Sequence, residues 1–227
     1  MNPVQARSEA TDAGLAKQIA AGTTELDLPV STAQIDRFVA YIRLIERWNL
    51  TYNLTAIRNP SDMVANHVLD CLAAAQAIIQ ERGPGAGRRL LDVGTGAGLP
   101  GLVVAAVSPE RDVVCIDSVG KKAAFVRQAA ALLELRNVTV LHDRVENVRS
   151  TAFDEIVSRA FATLADFVQT TRHLLREEGV WIAMKAKLTA NELEPLSVHP
   201  YRVQPLHVPG LTAERCLVWI SKKASAR

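Results

Sequence analysis

The sequence predicts an α/β protein: a mostly parallel sheet with an antiparallel C-terminal pair, preceded by an N-terminal helical extension. Three observations carry this. Beyond Arg89, short β-branched runs ("RLLDV", "DVVCID", "VTVLHD", "FDEIVSRA", "GVWIAMKA") alternate with the helical patterns "LPGLVVAAV", "VGKKAAFVRQAAALLEL" and "LADFVQTTRHLLREE". Strands alternating with helices imply parallel pairing covered on both faces. The last two strand-like runs, "YRVQPLHVP" and "ERCLVWISKK", have no helix between them and read as an antiparallel pair. Upstream of the strands the apolar residues recur at helical steps.

Taken in order, residues 1–30 mix Ala, Thr, Gly and charge with little periodicity and read as partly mobile, so the fold proper starts at Ser31. Ser31 and Gln34 stand at capping-box spacing, and Ile35, Phe38, Val39, Ile42 and Ile45 follow on one helical face. "RNPSDMVANHVLDCLAAAQAIIQ" repeats the pattern, with Ser61 as its cap and Val64, Val68, Cys71, Leu72 and Ala75 on one side. It ends at "ERGPGAG", a linker that divides a tail and helical extension, 1–83, from a sheet core, 84–227.

At 227 residues and 48% hydrophobic, the chain has room for one sizeable core plus an extension, which argues against a second full catalytic domain. Cys71, Cys115 and Cys216 lack any C-x-x-C spacing, so neither a disulfide framework nor a zinc site is suggested, and a reducing compartment is the simplest home. The N-terminus has no charged start followed by an apolar block, and no 18-residue apolar run occurs. A soluble, cytoplasmic monomer without a membrane partner is expected. The formal charge is +2, and because Arg7 and Lys17 face Glu9, Asp12, Glu25 and Asp27, the chain beyond residue 30 carries +4. That excess does not by itself predict nucleic-acid binding, which needs a clustered basic face.

"RRLLDVGTGAGLPG", Arg88 to Gly101, is the first strand-to-helix turn, which floors the ligand site in an open α/β sheet. It contains both G-x-G-x-x-G (Gly96, Gly98, Gly101) and G-x-G-x-G (Gly94, Gly96, Gly98), with Thr95 and Leu99 between them and Pro100 suited to the first turn of the next helix. A dinucleotide would present a pyrophosphate here, whereas S-adenosyl-L-methionine (SAM) presents a sulfonium, an amino group and a carboxylate. Asp92, just before the first glycine pair, suits a cationic amino group and repels phosphate, which favours SAM. Asp117, 25 residues on at the end of the next strand, suits ribose hydroxyls of either cofactor. Val145 and Glu146 follow the third strand at the height of an adenine, although Glu146 reads equally well as a solvent-facing carboxylate at a helix N-terminus.

Together, "LLDVGTGAGLPG", "RVE", "FDEIVSRAF", "MKA" and the upstream "WNLTYNLTAIRNPSDMVANHVLDCL" resemble the bacterial GidB/RsmG family over about Trp48 to Lys185. The resemblance implies a Rossmann-like class I SAM-dependent methyltransferase sheet that transfers a methyl group to N7 of a guanine in 16S ribosomal RNA. SAM is then the cofactor, and 16S ribosomal RNA or the small ribosomal subunit the partner. It also implies cofactor contacts at Gly94, Leu99, Val145, Glu146 and Arg159.

The chemistry of the remaining residues agrees. "SRAF" stands where amino-methylating enzymes carry an Asn/Asp/Ser-Pro-Pro-aromatic motif, and Cys71, Cys115 and Cys216 fall inside a strand or outside the core loops, away from a nucleophile's place. Guanine N7 carries a lone pair and no proton, so no general base is required, and alignment alone can contribute up to roughly 7–11 kcal/mol. Arg159, Lys185 and Arg144 each close a strand on one sheet edge, where they would position substrate through O6 or phosphate. Alternatively Arg159 pairs with a core carboxylate and Lys185 is a solvated strand end. Arg43, Arg47 and Arg58 interleave with Trp48, Tyr52 and Asn53, a mix suited to unpaired RNA. Trp48 reads as packing, while Asn53 and Arg58 stand as RNA or cofactor-lid candidates. His67 and Asp70 share a helix face, but two ligands make no site and no metal is expected. Two further functions stay open: a methyltransferase for a small molecule or protein, and a SAM- or RNA-binding module without turnover.

Overall fold

The computed structural model describes residues 11–149, 152–159, 161, 163–196 and 199–222. The N-terminal part is helical: α1 (Asp12–Glu25), α2 (Thr32–Tyr52), then α3 (Pro60–Met63) running through a π-helical segment, Val64–Leu69, into α4 (Asp70–Arg82). The expectation of a mobile stretch before Ser31 is corrected for 11–30, and residues 1–10 lie outside the described residues. Thr11 caps α1 by accepting from Gly14 N at 3.1 Å, and Leu15 and Ile19 are fully buried. The small residues that look loop-like in sequence are a close-packing surface, since a Cβ on Gly22 would lie 2.5 Å from the Leu69 side chain. The capping box of α2 forms as expected, with Ser31 N donating to Gln34 Oε1 and Gln34 N to Ser31 Oγ. Asn59 rather than Ser61 caps α3, accepting from Ser61 N at 2.9 Å, because Pro60 already occupies the first helical position.

Beyond the linker lies a seven-stranded sheet in the order β3-β2-β1-β4-β5-β7-β6. β1 (Arg89–Val93), β2 (Asp112–Asp117), β3 (Val138–His142), β4 (Phe153–Ser158) and β5 (Leu175–Lys185) are parallel. β6 (Tyr201–Leu206) and β7 (Arg215–Ser221) form the expected antiparallel pair, β7 lying against β5. Helices α5 (Gly101–Val107), α6 (Gly120–Leu132), α7 (Leu164–Thr171) and the short α8 (Ala190–Leu193) complete the alternation. The helix read over "LADFVQTTRHLLREE" stops at Thr171, whose buried hydroxyl donates to Phe167 O and accepts from Trp181 Nε1. Leu175 is thereby free to pair with Phe153 and start β5 four residues before Gly179.

Successive strand residues point to opposite faces. Leu90, Cys115, Val157 and Ile182 join α2, α4, α5 and α6 in one core, while Leu91, Ile116, Ile156 and Trp181 meet α7 in the other. The linker is fixed to the sheet by Arg111, which is fully buried, donates to Gly83 O at 2.8 Å and pairs with the equally buried Glu155. After β1 the chain turns toward β2 and β3, then returns on the other side at β4. A crevice opens between β1 and β4 at the strands' carboxyl ends, where such sheets hold their ligands.

Candidate active site

The glycine loop spans the floor of that crevice. Gly94 N and Thr95 N both donate to Ile116 O, which ties the loop to β2. Gly94 and Gly96 have φ of 68° and 59°, a region that glycine occupies without strain. Gly101 serves another purpose, since a Cβ there would lie 2.7 Å from both Asp92 Oδ2 and Cys115 Sγ, and its absence lets α5 approach β1. The third glycine of G-x-G-x-x-G therefore serves helix–strand packing and does not select a dinucleotide. Pro100 sits one residue earlier than expected, as the residue flanking α5.

Asp92 is fully buried beneath the loop. Its Oδ2 accepts from Thr95 Oγ1 at 2.6 Å and Gly101 N at 2.8 Å, whereas its buried Oδ1 has no hydrogen-bond partner among the described residues. Burial pushes the Asp92 carboxyl up to about 6, against the pull of those two bonds and of Arg159. Leu99 and Thr95 are buried with it, and Tyr41, reaching from α2, donates to Ala97 O. Sequence reading missed Tyr41. The signal was present, since a tyrosine on a core helix face needs a partner for its hydroxyl.

Asp117 braces the loop from β2, its Oδ2 accepting from Gly96 N at 3.0 Å and its Oδ1 from Val119 N at 2.9 Å. Beside it opens a cleft of about 280 Å³ lined by Gly94, Asp117, Arg144, Val145, Glu146 and Phe161, among others. That is close to the lower size of small-molecule sites, about 300 Å³. Val145 is buried, while Arg144 and Glu146 form an exposed pair at 3.5 Å. Gly98 takes φ 84° where the loop turns toward α5 and does not line this cleft.

A second cleft, about 340 Å³, opens beyond β4, β5 and β7, lined by Ile57, His67, Asp70, Arg159, Lys185 and Cys216, among others. Arg159 Nη1 donates to Asn66 O at 3.1 Å and to Asp70 Oδ2 at 3.3 Å, and Arg215 Nε lies 3.3 Å from Asp70 Oδ1. The core-carboxylate pairing of Arg159 thus exists, and it also places Arg159 in the cleft wall. Burial raises the Asp70 pKa, opposed by the two guanidiniums. His67 is pushed down to about 4 by burial and by Arg159, so its imidazole is neutral. With Nδ1 3.0 Å from Asn66 O, that nitrogen carries the proton and Nε2 accepts from Thr55 Oγ1 at 2.9 Å. His67 and Asp70 therefore do not bond each other, and both join the Arg159 network, His67 through the shared acceptor Asn66 O and Asp70 directly.

Lys185 is anchored by Phe161 O at 3.2 Å and Glu192 Oε1 at 3.0 Å, and the ammonium holds Glu192 below its usual range. Cys216, read as lying outside the site, lines this cleft because the β5–β7 register sets it opposite Lys185. Its thiol is raised by burial and the nearby Glu192 and Glu214, which disfavours the thiolate. Asn53 and Arg58 close the end of α2: Asn53 takes φ 49°, and Arg58 donates to Asn49 O at 2.7 Å and to Asn53 Oδ1. Trp48 packs edge-on against Phe125 at 5.4 Å, as expected. Arg215 and Glu192 were not read from sequence, since only strand register and the short α8 place them here.

Comparison with known proteins follows this geometry. The family model GidB, described as rRNA small subunit methyltransferase G, matches residues 34–218. A protein named Ribosomal RNA small subunit methyltransferase G from Polaromonas naphthalenivorans is 46% identical over 216 residues, 93% of this chain and 97% of that protein. Its namesake from Methylibium petroleiphilum is 45% identical over 211 residues, covering 92% and 95%. Among solved structures, magnesium protoporphyrin IX methyltransferase from Synechocystis PCC 6803 with bound SAM matches with TM-score 0.59 at 13% identity, over 86% of this chain and 99% of that one. Ribosomal protein L11 methylase from Lactobacillus delbrueckii subsp. bulgaricus matches with TM-score 0.54 at 19% identity, covering 69% and 77%. These structures establish the class I SAM-dependent methyltransferase fold, and the sequence matches establish more: the chain belongs to the GidB family, rRNA small subunit methyltransferase G.

Proposed function

We propose that this protein transfers the methyl group of SAM to N7 of a guanine in 16S ribosomal RNA, acting as a cytoplasmic monomer on the RNA or the small subunit. The observation that carries the cofactor assignment is the unpartnered, buried Asp92 Oδ1 under a glycine loop, beside an Oδ2 that already accepts two bonds. An anionic acceptor suits an ammonium and opposes a pyrophosphate. Asp117 has lone pairs left for ribose hydroxyls after its two backbone bonds, Val145 offers an apolar surface to an adenine, and Glu146 stands at its edge. When bound, SAM supplies an electrophilic methyl group on a sulfonium.

The acceptor side fits a nucleophile that loses no proton. In the second cleft His67 is bonded through both ring nitrogens, Asp70 is held by two arginines, and Cys216 is a thiol, so none is a ready base or nucleophile. What is left for the chain to do is orient the base. Arg159 uses Nη1 for both of these bonds and retains other donors for guanine O6 or phosphate. Lys185 lines the same cleft from β5, whereas Arg144 lies on the cofactor cleft beside Glu146. Residues 84–227 carry the cofactor loop, and residues 1–83 close the acceptor cleft through Ile57, His67 and Asp70. Among the described residues no helix is long and apolar enough to cross a membrane.

The test is transfer of radiolabel from SAM to small-subunit RNA, with mass mapping of the labelled nucleotide. Label on a guanine at N7 is the expected result. Label on protein or on a small molecule, with none on RNA, would overturn the reading.

A further inference from the structure

The C-terminal end of α2 carries aromatic and apolar surface that neither cleft uses. Leu50 is 85% exposed and Tyr52 41% exposed. The Tyr52 ring is held from behind by Trp48, whose centroid is 5.0 Å away, and Trp48 is itself fixed by Phe125 and by a 2.9 Å bond from its Nε1 to Gln128 Oε1. Lys121, in the first turn of α6, places its ammonium 5.9 Å from the Tyr52 centroid. A ring backed by a locked indole is preorganised, so little side-chain entropy is lost when something stacks on it.

Charge points to the kind of occupant. Among the described residues no carboxylate pairs with Lys121, Lys122 or Arg47, and the neighbouring Glu46 is bound to Arg43 at 2.9 Å. An aromatic platform among cations that no carboxylate neutralises suits a polyanion with planar groups, which describes unpaired RNA better than an apolar protein helix. Position supports this. Lys121 begins the helix that follows Asp117 at the cofactor end of the sheet. Ile57, five residues along the chain from Tyr52, lines the acceptor cleft. Five extended residues span at most about 18 Å, so platform and cleft are a few nucleotides apart.

We infer that Tyr52 stacks an unpaired base of the RNA flanking the methylated guanine, with Lys121 and Arg47 holding adjacent phosphates. The inference rests on the RNA methyltransferase reading above and adds a docking surface to it. Tyr52 touches neither cleft, so it acts on substrate capture rather than on transfer.

The experiment compares wild type, Tyr52→Ala, Tyr52→Trp and Lys121→Gln in thermal melting, SAM affinity, equilibrium binding to protein-free small-subunit RNA, and methylation of that RNA and of assembled subunits. Tyr52→Ala should weaken RNA binding and raise KM by about five- to a hundredfold, the range for one stacked base, with kcat, SAM affinity and melting temperature held. Tyr52→Trp should restore binding, since stacking tolerates any large ring. Lys121→Gln should shrink the salt slope of RNA binding by about 0.7. Wild-type RNA affinity in Tyr52→Ala overturns the inference while leaving the methyltransferase reading intact. A defect seen on assembled subunits but not in protein-free RNA binding assigns the platform to a ribosomal protein, which also overturns it. If the wild type methylates no RNA in either form, both readings fall together.

Discussion

Replacing Asp92 by Asn separates what this acid costs the fold from what it gives the cofactor site. Burial raises its carboxyl from 3.8 to about 6, so the folded protein holds the proton more tightly than the unfolded chain. For a group shifted this way, stability is gained as pH falls below the folded pKa, and the ionised form is a net cost at pH 7. Two pH units at 1.36 kcal/mol each put that cost near ~3 kcal/mol. Asn keeps an acceptor for Gly101 N but places an amide where Oδ1 sits unpartnered, which returns about 1–2 kcal/mol of penalty. The variant should therefore be more stable than wild type at pH 7 by about 1–2 kcal/mol. Between pH 7 and pH 5 the wild type takes up its proton and recovers about 1.4 kcal/mol of that difference. Urea denaturation at both pH values reads this directly, because other groups titrate alike in the two proteins. Calorimetry should show SAM affinity lowered about ten- to a hundredfold in the variant, the loss expected for one charge-assisted bond. A stability difference that is the same at pH 7 and pH 5 would refute the raised pKa, and unchanged SAM affinity would refute the role of Oδ1.

The same protonation predicts that wild-type SAM affinity weakens as pH drops through about 6, by about tenfold per pH unit once Asp92 is protonated, while Asp92→Asn stays flat over that range. Gly101→Ala should cost about 1–3 kcal/mol in a thermal melt, because its Cβ would intrude on Asp92 and Cys115, both buried; an unchanged melt would show that α5 can yield. Glu155→Ala leaves Arg111 charged and fully buried without its partner, so urea denaturation should register a loss of about 3–5 kcal/mol. Lys185→Ala should leave SAM affinity near wild type and slow single-turnover methylation of small-subunit RNA, whereas an unaltered rate would remove Lys185 from the acceptor site.

The parts legible in sequence were those set by local pattern. The strand–helix alternation, the capping box of α2 and the antiparallel end all follow from periods and caps within about twenty residues. Residues 11–30 were misread because Gly22 and its small neighbours signal a loop by composition, while their use is contact with Leu69, a partner far along the chain. The site divides the same way. Gly94 and Asp117 stand at or just past strand ends, Val145 and Glu146 follow β3, and the alternation alone gathers all four on one cleft. Tyr41, Arg215 and Glu192 reach the two clefts through a helix crossing, a strand register and the short α8. Cys216 was misplaced for that reason, since only the pairing of β7 with β5 sets it beside Lys185.

Arg159 gives the two clefts a common electrostatic element. Its guanidinium bonds Asp70 on the acceptor side and lowers the Asp92 carboxyl on the cofactor side, while it also drives His67 toward its neutral form. Each buried acid is cheaper to ionise beside that cation than without it, so the charge on Asp92 is sensitive to where Arg159 is held. That position is fixed by Asn66 O, a carbonyl in the π-helical segment where the backbone departs from the α-helical ladder. A lysine could supply the charge and reach both acceptors from its one nitrogen, but it would lack the further guanidinium nitrogens that Arg159 keeps beyond those two bonds. The irregular helix of the N-terminal extension and the buried acid of the glycine loop are therefore linked electrostatically through a single side chain, Arg159.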